Sequence, residues 1–187
     1  NNIHMMKKTG NRWGPPQIAS FSGLEGVSDG EPFFTEDGNR LYFNSTRPNP
    51  EQGNDKKENI WYVDRTPSGW GDPKPVSQMI NRMSIHWQFS VDKKGNIYFA
   101  SDNPGGHGMQ DIYISCFKEG EYGTPENLGE NINSAENEMT PFISPEGDYL
   151  IYCRGTDLRI IFRNTDGTWR LTVANRHTGD SPSPGSA

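Results

Sequence analysis

An aromatic residue, then glycine, then proline two positions further on recurs three times in this chain. The copies are Trp13-Gly14-Pro15-Pro16, Trp70-Gly71-Asp72-Pro73 and Tyr122-Gly123-Thr124-Pro125. From each aromatic to the next turn glycine, at Gly38, Gly95 and Gly147, the distance is 25 residues in every copy. Equal spacing at three places marks an internal repeat, which restricts the fold to architectures that stack one supersecondary unit several times. The turn glycines lie 57 and 52 residues apart, and an insertion around Asn49 to Lys57 in the first copy accounts for most of the difference. Ile80-Asn81 and Ile132-Asn133 repeat as well, ten and eleven residues past their aromatics.

Each copy carries four strand signals. Strand A is a short run such as Pro32 to Thr35, ending in a turn such as Asp37-Gly38 whose glycine accepts the positive φ of a tight hairpin. Strand B covers Arg40 to Ser45, Asn96 to Ser101 or Tyr149 to Arg154. Strand C covers Asn59 to Asp64, Asp111 to Phe117 or Leu158 to Asn164. Strand D follows the aromatic-Gly-x-Pro motif, where the proline suits an edge strand. Runs such as Leu41-Tyr42-Phe43 and Ile60-Trp61-Tyr62-Val63 are apolar on both faces. A sheet lying between two other sheets needs that pattern, whereas a half-solvated sheet alternates. Repeats of about fifty residues with four strands each, buried on both sides, describe β-propeller blades.

The reading is therefore an all-β chain of three four-stranded antiparallel blades, about 31–79, 86–132 and 139–173. An extra N-terminal strand at 13–18 brings the propeller domain to 13–173. Residues 1–12 are expected as an N-terminal arm, with Asn1 to Met5 left by cloning, and 174–187 as a disordered tail. Hydrophobic residues at 31% would suit disorder, but aromatics at 11% fall in strand-like runs, and the 21 glycines and 14 prolines suit many turns. A net charge of −6 with no basic stripe argues against nucleic acid, and no apolar run reaches the length of a membrane span. Cys116 and Cys153 have no metal spacing and read as free thiols within strands.

The stretch Ser101-Asp102-Asn103-Pro104-Gly105-Gly106, then Asp111-Ile112-Tyr113, then Asn127 to Ser134 (NLGENINS) resembles the TolB-type β-propeller repeat, in the version found beside OmpA-like domains of bacterial envelope proteins. The resemblance runs from Trp13 to Trp169. It implies a propeller, and a periplasmic or envelope setting for it. Such repeats serve many roles, so the site has to be argued from residues.

Trp13, Trp70 and Tyr122 read as wedges between blades rather than sugar platforms, because each copy has one in the same place. Asp111 reads as a cap on the glycine-rich turn before it, and Gly38, Gly95 and Gly147 as hairpin glycines. His86 and His107, with Gln88 and Gln110, raise the thought of a metal site like that of propeller lyases acting on pectic sugars. The spacing does not support it, and neither cofactor nor metal is expected. Glycines 105, 106 and 108 read as a hairpin tip rather than an anion nest. Asp29, Glu31, His86, Glu136 and Glu138 lead into strands A, which border the channel of a propeller. They are the candidate binding residues of an acidic mouth for a protein or peptide ligand.

No catalytic motif stands in the sequence. The expected function is a non-catalytic binding module. Rival readings are a metal-dependent, carbohydrate-active enzyme and a structural half-propeller that assembles with further blades. Three blades cannot close a ring alone, so a homodimer is expected, the N-terminal strand completing the partner's third blade in a six-bladed ring.

Overall fold

The structure is a computed structural model and describes residues 1–52, 58–84 and 88–170. The chain opens with two nested antiparallel pairs. β1 (His4–Met5) pairs with the later β4 (Gln17–Ile18), and β2 (Lys8–Thr9) with β3 (Arg12–Trp13). The first blade is β5 (Asp29–Phe34), β6 (Arg40–Ser45) and β7 (Asn59–Thr66), with the short β8 (Gly69–Trp70) and β9 (Lys74–Pro75) both on β7. A single helical turn follows, α1 (Gln78–Asn81), capped by the Ser77 side chain. The second blade is β10 (Phe89–Val91), β11 (Ile97–Ser101) and β12 (Asp111–Ser115). The hairpin β13 (Phe117–Lys118) and β14 (Glu121–Tyr122) comes next, and β15 (Glu126–Asn127) then returns to β12. The third is β16 (Glu138–Ile143), β17 (Tyr149–Arg154), β18 (Asp157–Arg163) and β19 (Trp169–Arg170). The molecule is thus all-β, with antiparallel sheets set in series as propeller blades that form no closed barrel.

Successive side chains of a strand point to opposite faces, and the blades use both. In β6, Leu41 and Phe43 pack with Ile3, Ala19 and Phe21, while Tyr42 between them packs with Phe89, Ile97 and Phe99 of the second blade. In β11 the alternation repeats: Ile97 and Phe99 face the first blade, and Tyr98 faces Leu150, Tyr152 and Ile161 of the third. Each core therefore lies between two sheets.

The segment 1–12 is not the arm expected of it. Ile3 is buried against Leu41, Phe43 and Trp61, and the Asn1 carbonyl accepts the Asp29 N–H at 3.0 Å. Ile3 stands ten residues before Trp13, as Ile60 and Ile112 stand before Trp70 and Tyr122. Residues 1–18 are thus the outer half, strands C and D, of another repeat. They are engaged with the first blade of their own chain.

The repeated Ile-Asn pair has a structural job. Asn133 Oδ1 accepts the Ile112 N–H at 2.8 Å, and its Nδ2 donates to the Ile112 carbonyl at 3.0 Å. Asn81 does the same to Ile60, at 3.0 and 3.2 Å. The amide side chain supplies the acceptor that the short outer strand lacks and shares the carbonyl with it, since Ile112 and Ile60 also accept the Leu128 and Val76 N–H groups. In the N-terminal half-blade Ser22 covers only the Ile3 N–H, at 3.1 Å. Gly38, Gly95 and Gly147 have φ of 67°, 88° and 74°, as the hairpin turn requires. Glu31 and Thr140, at matching places in β5 and β16, also have positive φ (50° and 52°) and sit where the register to the next strand shifts, a β-bulge.

Asn133→Ala leaves the buried N–H of Ile112 without a partner, while the Ile112 carbonyl keeps the Leu128 N–H. It should cost about 1–3 kcal/mol, read as a lower urea midpoint with an unchanged slope. A loss under about 0.5 kcal/mol would show that the amide does not hold the strand.

Candidate functional site

The acidic mouth expected from Asp29, Glu31, His86, Glu136 and Glu138 does not assemble as read. Asp29 and Glu138 are 1% and 0% exposed. Asp29 accepts hydrogen bonds from Ser45 Oγ at 2.6 Å and Ser22 Oγ at 2.7 Å, and pairs with Arg47 at 2.9 Å. Glu138 accepts from the Ser134 hydroxyl at 2.6 Å and backbone N–H at 3.0 Å, and pairs with Arg154 at 2.9 Å. A buried carboxylate must be neutralised where it sits, so these two join strands A and B instead of drawing a ligand. The Arg47 guanidinium lies over the rings of Phe43 and Trp61, 5.0 and 5.3 Å from their centroids. Glu31 is the exposed bulge residue. Glu136 is exposed, and its carbonyl accepts the Met109 N–H across the seam to the second blade. His86 and Trp87 lie outside the described residues.

Asp111 is buried at the start of β12, where its carboxylate accepts the backbone N–H groups of His107 at 2.6 Å and Gly108 at 3.3 Å and the Asn127 amide at 2.8 Å. That makes it the turn cap the sequence suggests. A side chain at Gly108 would run into the Ser134 and Glu136 carbonyls at 2.3 Å, so the glycine there allows close approach of two loops. Among the described residues, no three His, Cys, Asp or Glu converge as metal ligands would. Cys116 and Cys153 are free and half-buried.

Of the three repeated aromatics, Trp70 and Tyr122 lie at seams, while Trp13 is 62% exposed. Trp70 meets Phe21 edge-on with centroids 6.3 Å apart, and Phe34 at 5.7 Å. Tyr122 reaches back across the next seam, its hydroxyl 3.1 Å from that of Tyr42. Beside each of three aromatics a cation covers the ring: Lys8 over Trp13, Arg65 over Trp70 and Arg163 over Trp169. In the second blade Phe117 takes the cation's place, with centroids 4.9 Å apart.

Phe117 also borders a concave feature that the sequence reading missed. A cleft of about 760 Å³ lies at the seam of the first and second blades, on the side of the A–B turns. Tyr42, Arg40 and Phe117 line it, Glu36 and Asp37 form one wall, and Asp92, Lys93, Lys94 and Gly95 form the other. A second groove of about 470 Å³ shares Arg40 and Phe117 and runs along Tyr62, Pro75, Met79 and Tyr122. The Arg40 guanidinium stacks on Tyr62 at 4.1 Å and pairs with Asp64 at 2.7 Å, its partner across the strands. Burial works against the Arg40 charge, but Asp64 and the Tyr42 hydroxyl outweigh it and raise the pKa.

The cleft's aspartates are already engaged. Asp37 accepts from the Thr35 hydroxyl and from the Asn39 backbone and amide, which hold its carboxyl below the usual range. Asp92 caps the next turn in the same way, through Lys94 and Asn96. Lys93 leans towards Glu146 of the third blade at 2.9 Å, which raises its pKa. Glu36 and Lys94 stand exposed on opposite walls. The arrangement offers aromatic contact on its floor and charge of both signs at its rim.

One signal in the sequence could have separated the buried acids from the exposed ones. Asp29 and Glu138 both precede their turn glycine by nine residues, and so does His86. An ionisable residue at one offset of a repeat is a structural position before it is a site. No comparable offset marks the cleft, because Phe117 departs from the repeat instead of following it.

No protein-family model matches the chain, and no curated protein does. A solved structure from a structural and mechanistic analysis of two prolyl endopeptidases is similar to it, with a TM-score of 0.48 and 17% identity. The likeness covers 82% of this chain and 21% of that one, so the chain spans about a fifth of that protein's length.

Glu138→Ala strands the Arg154 charge in a half-buried place and should cost about 3–5 kcal/mol in denaturant titration. A loss under about 1 kcal/mol would mean that the pair does not hold the strands. Burial also pushes the Tyr98 hydroxyl up to about 12, from an ordinary 10.0. The folded chain therefore keeps Tyr98 neutral where the unfolded chain ionises it. Its contribution is whole below pH 10 and should fade as pH rises to about 12, on the order of 2 kcal/mol in all. Stability measured across that range, with a Tyr98→Phe variant for comparison, checks it. An equally steep decline in the variant would discount Tyr98.

Proposed function

We propose that this chain is a β-propeller binding module for a protein or peptide partner, and that the cleft between its first two blades is where the partner docks. The observation that carries the reading is the cleft's make-up. It is preformed, its volume lies in the range of ordinary ligand sites, and its aromatic floor (Tyr42 and Phe117) lies between walls of mixed charge. A peptide supplies what such a surface can recognise: one apolar side chain to cover the floor and flanking charges to meet Lys94 and Glu36. The commitment of Asp37, Asp64 and Asp92 to turns and to Arg40 supports binding over catalysis, since a general base must be available to its substrate. The resemblance of the repeat to TolB-type propellers supports an envelope setting for this module.

Selection of displayed peptides on the immobilised chain, followed by fluorescence anisotropy on one enriched peptide, tests the proposal. Phe117→Ser should weaken that peptide about tenfold, while Leu158→Ser, on the far face of the third blade, should leave it unchanged. Failure to enrich any peptide, or binding indifferent to Phe117, would count against this site.

A further inference from the structure

At two successive seams the aromatic of a C–D hairpin reaches back to the repeat before it. Trp70 meets Phe21 edge-on, and Tyr122 packs beside Tyr42 with the two hydroxyls 3.1 Å apart. Trp13 holds that place in the half-blade, where it is 62% exposed. The opposite end of the stack carries the other half of the contact. In β17, Leu150 and Tyr152 pack on the second blade, so Ile151 points the other way, and the register sets Phe142 across from it. Phe142 is 43% exposed, and Leu158, on the same face through its pairing with Cys153, is 72% exposed. Counted from the turn glycine, Phe142 and Ile151 hold the places of Phe33 and Tyr42, which receive the second blade in the first.

We propose that a second copy of this chain covers the outer face of the third blade, with its Trp13 packed against Ile151 at the place where Tyr122 meets Tyr42. The occupant follows from continuity: the face has the residue places of an interface already filled within the chain, and the N-terminal half-blade carries the matching wedge. The third blade's face is apolar, and the half-blade exposes Trp13 and Ile18 beside polar His4; exposed apolar faces of this kind mark association sites. Under two-fold symmetry both ends of each copy are covered at once and the assembly closes as a dimer. This inference does not depend on what the cleft binds.

Sedimentation equilibrium over a range of about 1 to 100 μM should show a species of twice the 21.0 kDa chain. Leu158→Asp should return it to the single chain with an unchanged circular-dichroism spectrum. In a Cys116→Ser, Cys153→Ser background, Trp13→Cys and Ile151→Cys chains should be joined by a short bismaleimide when mixed. Neither variant should be joined when treated alone. A single chain at every concentration, a dimer that Leu158→Asp leaves intact, or no cross-link in the mixture would each overturn the proposal.

Discussion

None of the three sheets has a core of its own. Leu41 and Phe43 are buried by the half-blade, and Tyr42 by the second blade, so β6 is dry only because something lies on either side of it. The same holds for Ile97, Tyr98 and Phe99 in β11. Stability in such a stack belongs to the seams, and a blade loosened at one seam weakens its neighbour's burial on the other face. Polar links cross the seams as well. Ser90 Oγ accepts the Ile143 N–H at 2.9 Å, and Arg163 donates to the Tyr98 hydroxyl at 2.8 Å, so the blades are fixed in angle as well as pressed together.

Much of this arrangement was legible before any coordinates. The aromatic-Gly-x-Pro spacing placed the strands, and the doubly apolar strands B and C placed the sheets between other sheets. What was not legible was the start of the chain. Asn1 to Asn11 has few apolar residues, and the strand within it announces itself only through Ile3, whose meaning depends on Ile60 and Ile112 at the same offset. Two-residue strands such as β1 and β4 carry too little pattern to be read in isolation. Their existence is owed to the tertiary contact of Ile3 and Ala19 with the first blade.

The site was harder to read than the fold, for an electrostatic reason. A row of acids before strand A looks the same in sequence whether it faces solvent or is buried. What separates the two is the distant arginine: Arg47 lies 18 residues from Asp29, and Arg154 lies 16 from Glu138. The cleft was hidden differently. Arg40, Tyr42 and Phe117 come from two blades, and Phe117 matters because it breaks the pattern of a cation over each aromatic. A search for repeats finds what is shared, and this cleft lies where one copy differs.

The asparagine that grips strand C in the first and second blades has a consequence for solubility. An outer strand presents unpaired backbone groups to any passing chain and is the usual template for runaway sheet growth. Here Asn81 and Asn133 occupy those groups at Ile60 and Ile112, and the strands that finish each sheet, β9 and β15, are two residues long. Little ladder is left for a stranger to join. The asparagine sits at the same place in both of these blades, so each of the two carries its own stop.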